Sequence, residues 1–263
     1  MKVGLVAGRS IYNFYMSVIL TIDQGNTAVK ASVVDDGKIV DTVRMSSPSL
    51  EQTESLLGKW DVDGVVYCSV AGLDVRFAES LRMMLSQPLL VLGHSTPLPI
   101  DVDYASPRTL GLDRVAAAAG AVCIYGREPM LVADAGTALT LDVVDGRGAF
   151  LGGNISPGLA LRFRALHSFT SRLPLVEAEG ELPSFGYDTV TAIRSGAVRG
   201  IVAEINDTAL RAAAEHGVRR TVITGGDAAF LMPLLDATRT EINIQPDLIA
   251  VGLYSIFKHN ENL

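Results

Sequence analysis

The chain has 263 residues, of which 48% are apolar and 19% charged, and its net charge is −7. Such an apolar share supports a sizeable core and excludes a largely disordered chain. The acidic balance argues against non-specific binding to DNA, RNA or an anionic membrane, but leaves room for an anionic ligand held by backbone N–H groups and a few local cations. Residues 1–15 carry Lys2, Arg9 and Asn13 within a short apolar stretch and lack a small-residue cleavage site. They read as a dispensable extension or a mis-assigned start ahead of Met16, not as a signal peptide. No uninterrupted apolar run approaches the ~20 residues of a membrane span. Cys68 and Cys123 form no Cys-x-x-Cys pair, which argues against zinc or a disulfide framework; both are expected to be buried thiols in a reducing compartment.

Residues 18–44, VILTIDQGNTAVKASVVDDGKIVDTVR, are echoed by 130–155, MLVADAGTALTLDVVDGRGAFLGGNI. Each copy is an apolar strand ending in Asp-x-Gly and a small polar residue, then a second strand, an Asp-Gly turn and a third strand. The second copy is expected to have a strand shorter by two residues, an even difference that keeps side chains on the same faces. Between the copies, 50–58 and 73–87 predict helices, 62–70 and 89–93 strands, and 109–126 an alanine-rich helix. Beyond the second copy, 158–168 and 188–216 predict helices and 220–224 a strand ending at Gly225-Gly226. Helices are predicted again over 227–236 and 246–259. A repeat of about 110 residues is too long for a solenoid and points to a duplicated domain. The predicted class is α/β: mixed sheets flanked by helices on both faces, in two halves divided at 127/128, so 16–127 and 128–263.

The glycine turns carry the chemistry. In Asp23-Gln24-Gly25-Asn26-Thr27, glycine lets the backbone turn tightly, successive N–H groups can face an anion, and Asn26 and Thr27 add neutral donors. Lys30 could supply a positive charge, and Asp23 could hold a magnesium ion through water. Asp134-Ala135-Gly136-Thr137 offers the same devices, so two such turns facing each other would grip one polyphosphate from opposite sides. Either turn alone is equally an ordinary structural turn. In Tyr104-Ala-Ser-Pro-Arg-Thr-Leu-Gly111-Leu112-Asp113-Arg114, Asp113 falls in the first turn of a helix, where the dipole favours a carboxylate, and is a candidate weak proton acceptor. Arg114 could grip a substrate carboxylate bidentately; a plain helix start with a surface arginine fits the same residues. Thr189 is either a helix-start residue or a ligand hydroxyl. The four histidines pair with nothing at metal spacing.

Taken in order, D-x-G-N-T-x-x-K at 23–30, Y-x-x-P-x-x-L-G-x-D-R at 104–114, D-x-G-T-A at 134–138, G-G-x-I-x-P-G at 152–158, G-x-x-T at 186–189 and T-G-G-D at 224–227 resemble type III pantothenate kinases. These belong to the acetate and sugar kinase/actin superfamily. The resemblance implies two duplicated actin-like (ribonuclease H-like) domains with an ATP cleft between them, and ATP-dependent phosphorylation of pantothenate to 4′-phosphopantothenate, the first step of coenzyme A synthesis. It implies that Asp23, Gln24, Gly25, Asn26, Thr27, Ala28, Val29 and Lys30, with Thr137, bind ATP, and that Asp113 is the base. It further implies that Tyr104, Gly111, Leu112, Asp113 and Arg114 line the pantothenate site, joined by Thr189 from across a dimer interface. Asp134 matches a monovalent-cation position (potassium or ammonium). Magnesium with ATP, a homodimer and a cytoplasmic location complete what the resemblance implies. Alternatives are a kinase of the same superfamily acting on another small alcohol or acid, and a non-catalytic nucleotide-binding regulator.

Overall fold

The computed structural model describes residues 17–70 and 72–261, so the N-terminal extension read from 1–15 lies outside the described residues. The two echoing segments begin two sheets of the same order. In the first, β1 (Val18–Gln24), β2 (Val29–Asp35) and β3 (Lys38–Met45) form an antiparallel meander, and β4 (Gly64–Ser69) and β5 (Leu89–Val91) add in parallel beyond β1. The order is β3-β2-β1-β4-β5. In the second, β6 (Met130–Ala135), β7 (Ala138–Val144), β8 (Phe150–Pro157), β9 (Arg220–Thr224) and β10 (Glu241–Ile244) repeat it as β8-β7-β6-β9-β10. The expected α/β class with two mixed sheets is therefore what the chain adopts, and the duplication runs through all five strands.

Period-two alternation sorts the strand side chains into three cores. Leu20 and Ile22 of β1, with Val65 and Tyr67 of β4, pack beneath α1 (Leu50–Lys59) and α2 (Val75–Met84) on the outer face of the first sheet. Leu131 and Ala133 of β6 pack beneath α4 (Leu159–Ser168) and α5 (Thr189–His216) on the outer face of the second. The opposite faces, carrying Ile19, Val66 and Cys68 on one side and Met130 and Val132 on the other, share a middle core with α3 (Leu112–Tyr125) and α7 (Leu248–Glu261). These two helices occupy equivalent places in the repeat, each following the fifth strand of its sheet. They cross backbone to backbone: a Cβ on Gly252 would lie 1.8 Å from the Ala116 carbonyl oxygen, and one on Gly120 would lie 2.2 Å from that of Leu248. Although α7 follows the second sheet in sequence, it packs on β1, β2 and β4 of the first.

Several boundaries differ from expectation for local reasons. Asp36 and Gly37 both have positive φ, 45° and 76°, forming the tight two-residue hairpin that Asp-Gly predicts. The second Asp-Gly does not. The loop there runs to Ala149 because the Asp145 carboxylate accepts from the N–H groups of Arg147 (2.8 Å) and Ala149 (2.9 Å), and Gly148 takes the positive φ. β2 and β7 are both seven residues long, so the expected shortening falls in the glycine loop before them, which spans 25–28 in the first copy and 136–137 in the second. The helix expected over 227–236 breaks at Pro233 into α6 (Ala228–Leu231) and a 3-10 turn over Met232–Leu234. α3 begins at Leu112 rather than 109, after a 3-10 turn over Pro107–Thr109. Cys68 is buried as expected, but Cys123 is exposed on α3.

Candidate active site

Continuing the alternation of β1 past Ile19 and Thr21 places Asp23 on the middle-layer face at the strand end. Continuing β6 past Met130 and Val132 places Asp134 there too. The following loops close in the same way: the Gly25 N–H donates to the Ala28 carbonyl (3.0 Å) and the Gly136 N–H to the Ala138 carbonyl (3.1 Å). The loops meet, with the Thr27 and Thr137 hydroxyl oxygens 2.8 Å apart. Below them lies a cleft lined by Asp23, Lys30, Arg44, Asp134, Thr224, Gly225, Gly226 and the entry to α7. Gly225 must be glycine: its φ is +92°, and a Cβ would lie 2.4 Å from Asp134 Oδ1 and 2.5 Å from the Ala135 carbonyl. Asn26, Thr27 and Ala28 are exposed at the tip of the first loop. Gln24 turns away to accept from the Tyr67 hydroxyl. The Val29 side chain lies in the outer core, so only its backbone can face a ligand. Lys30, paired with Asp23 in register, donates to Asp247 (2.5 Å) and to the Pro246 carbonyl (3.2 Å).

Two cations, Lys30 and Arg44, share the cleft lining with three carboxylates, Asp23, Asp134 and Asp247. Burial, then the negative charges of Asp113 and Asp134, push the Asp23 carboxyl up to about 7, against a smaller opposing pull from Lys30. Burial, followed by Asp113 and Asp142, likewise brings Asp134 to about 7. Asp23 Oδ1 is buried with no hydrogen-bond partner. Enclosed carboxylates that repel one another, one with an orphaned oxygen, are the chemistry that hard cations satisfy. The pair therefore fits the expected metals, although the described residues contain no cluster of three acidic, histidine or cysteine ligands.

Asp113 stands in the first turn of α3, close enough to act electrostatically on both aspartates. Its Oδ1 accepts from the Arg114 N–H (2.8 Å) and rests against Gly111, where a Cβ would lie 2.5 Å away. Arg114 is not at the surface, which overturns the plain reading of it. It is 6% exposed, and its guanidinium pairs with the buried Asp142 of β7. Its Cζ lies 5.8 Å from the ring centre of Tyr104 and 5.5 Å from that of Phe150. Burial alone would lower its proton affinity, but the Asp142 and Tyr104 contacts more than reverse this. Leu112 packs against the middle core. Thr189 is exposed in the first turn of α5, whose start is fixed by a reciprocal capping box between Asp188 and Thr191. No α5 residue lines the cleft, so Thr189 stands apart from it within one chain.

Asp142 and Asp247 were not among the residues singled out from sequence. Asp142 could have been found as a carboxylate alternating inward with Val144 on a strand, a position that demands a buried partner. Asp247 carries no such signal, because its partner Lys30 is 217 positions away.

A family model described as type III pantothenate kinase matches residues 19–211. A type III pantothenate kinase of Porphyromonas gingivalis is 39% identical over 248 residues, covering 93% of this chain and all of that one. Another, of Bacteroides fragilis, is 43% identical over 210 residues, 79% of this chain and 85% of that one. Among solved structures, a Campylobacter jejuni protein assigned to the Baf family of transcriptional activators is 24% identical, with a TM-score of 0.62 over 93% of this chain and all of that one. A ROK hexokinase of Thermus thermophilus has a TM-score of 0.51 at 14% identity, covering 91% and 98%, and shares the fold. The family match along most of the length, together with these identities, establishes that the chain belongs to the type III pantothenate kinase family.

Proposed function

We propose that this chain transfers the γ-phosphate of ATP to the primary alcohol of pantothenate, yielding 4′-phosphopantothenate, the first step of coenzyme A synthesis. The observation that carries the reading is the meeting of the two glycine loops at Thr27 and Thr137, above a pair of part-buried aspartates and within the electrostatic reach of Asp113. Residues 23–30 and Thr137 cradle the polyphosphate from opposite walls, the first half (16–127) supplying one wall and the second (128–263) the other. Lys30 exchanges Asp247 for a phosphate oxygen. Tyr104 and Gly111 to Arg114 line the acceptor site, and Asp113 holds the acceptor hydroxyl in line and accepts its proton. A weak base suffices because phosphoryl transfer passes through a loose transition state governed by positioning and charge.

The metals act on charge. Asp23 would hold magnesium through water and Asp134 a monovalent cation, potassium or ammonium. Such ions neutralise phosphate charge and draw both carboxylates into the ionised form. Thr189 completes the acceptor site of a second copy: Phe185 (90% exposed), Tyr187 (70%) and Val190 (40%) flank it, apolar surface of the kind a homodimer covers. A cytoplasmic location accords with the pathway, and no helix among the described residues is long and apolar enough to cross a membrane.

ADP release measured with ATP, magnesium and potassium, with and without pantothenate, tests the reading. Pantothenate-dependent release is expected. Release that ignores pantothenate but follows another small alcohol would assign a different acceptor, and no release with any acceptor would leave a nucleotide-binding regulator.

A further inference from the structure

Arg114 has two edges with which to grip a carboxylate: the side edge of Nε and Nη2, and the end edge of Nη1 and Nη2. Asp142 occupies the side edge. Nε donates to Oδ1 (3.1 Å) and Oδ2 (3.0 Å), and Nη2 also donates to Oδ1. The arrangement is built around this contact. Asp142 is 1% exposed on the middle-layer face of β7. Gly153 of the neighbouring strand leaves room for it, since a Cβ there would lie 2.5 Å from Asp142 Oδ1. Thr140, two residues along the same face, favours the ionised form of the Asp142 carboxyl. The guanidinium is closed in by the rings of Tyr104 and Phe150, themselves 5.9 Å apart and edge to face.

We infer that Asp142 is the positioning residue of the acceptor site: it clamps Arg114 by its side edge, so that only the end edge can meet the acceptor's carboxylate. The clamp also ties the first turn of α3, where Asp113 stands, to the second sheet. A guanidinium offered by one edge fixes both the position and the plane of the carboxylate it binds. The far end of the acceptor is thereby held at a set distance from the base. This inference rests on the reading of Arg114 and Tyr104 as acceptor-site residues and assigns them an orientation that the motif alone does not supply.

The test compares steady-state kinetics of Asp142→Asn, Arg114→Met and the parent with pantothenate and with panthenol, the same alcohol lacking the carboxylate, used as substrate or as competing ligand. In Asp142→Asn an amide N–H faces the guanidinium. The KM for pantothenate should then rise roughly tenfold, the preference over panthenol should shrink by the same factor, and the KM for ATP should stay within about twofold. A merely structural role would move the two acceptors together. If Arg114→Met erases the preference while Asp142→Asn keeps it, the clamp is refuted and the acceptor-site reading stands. If Arg114→Met keeps the preference, that reading fails, and the clamp with it. Should Asp142→Asn not fold, Thr140→Val, nearly isosteric, removes the hydroxyl that favours the ionised Asp142 carboxylate. It should cost roughly two- to threefold in preference, and an unchanged preference would overturn the inference.

Discussion

Replacing Gly252 by alanine should loosen the whole molecule and slow it. The new Cβ would lie 1.8 Å from the Ala116 carbonyl oxygen, 2.6 Å from its carbon and 2.9 Å from the Gly120 nitrogen. All three are backbone atoms of α3, so no rotamer change relieves the clash. With ordinary carbon–oxygen contact at about 3.3 Å, α7 and α3 must part by roughly 1.5 Å. Overpacking of this kind costs about 3–4 kcal/mol, offset by about 1 kcal/mol from alanine's better helix propensity, for a net loss of about 2–3 kcal/mol. In a chain of this size that corresponds to roughly 5–10 °C in melting temperature. Because Asp113 stands at the start of α3, a shift of about an ångström should also lower kcat by as much as ~100-fold. Gly58→Ala is the control: nothing lies within 4 Å of its Cβ position, so the chain should keep its activity and gain up to about 1 kcal/mol. Denaturant melts and kcat measured side by side decide the matter. A Gly252→Ala protein as stable and as fast as the parent would refute the reasoning.

Gly111→Ala should separate activity from stability: its Cβ would displace only the Asp113 carboxylate, so turnover should fall at least ~10-fold with an unchanged melting temperature. Asp113→Asn should cut kcat by about 10²–10⁴-fold with ATP affinity nearly intact, and near-normal turnover would refute its role as base. Asp23 and Asp134 keep their protons in the folded chain up to about pH 7, whereas the unfolded chain releases them near pH 4. Across that window the native state binds more protons, so its stability without metal should fall as pH rises and level off above about 7. Added magnesium or potassium should restore stability at pH 8 more than at pH 5.5, and Asp134→Asn should stabilise the metal-free chain only at the higher pH. Equal effects at both pH values in thermal melts would contradict the assigned burial and repulsion.

The central strands and glycine loops were legible because they are local. A run ending in Asp-x-Gly fixes a strand, its turn and the face on which the aspartate lies. Matching copies then put Asp23 and Asp134 at equivalent strand ends of the repeat. β10 was not read, because Glu241–Ile244 has only two apolar residues and no turn signal of its own. Its counterpart β5 was read, so carrying the repeat one strand further would have found it. The burial of Arg114 was hidden for a different reason. An arginine in the first turn of a helix carries no sign of what packs over it, and its partner lies 28 residues on, in another sheet. Break points such as Pro233 were visible but outweighed by the apolar pattern around them.

The return of α7 to the first sheet has a consequence for how the protein comes into being. During synthesis, the strands of 18–91 emerge long before residues 248–261, so one face of that sheet leaves the ribosome without one of the two helices that will cover it. The opening half is expected not to finish as an independent body. It must wait, greasy side open, until nearly the whole message has been read. A fragment ending before α7 should be captured by chaperones or precipitate, and a peptide of 248–261 supplied separately should rescue it.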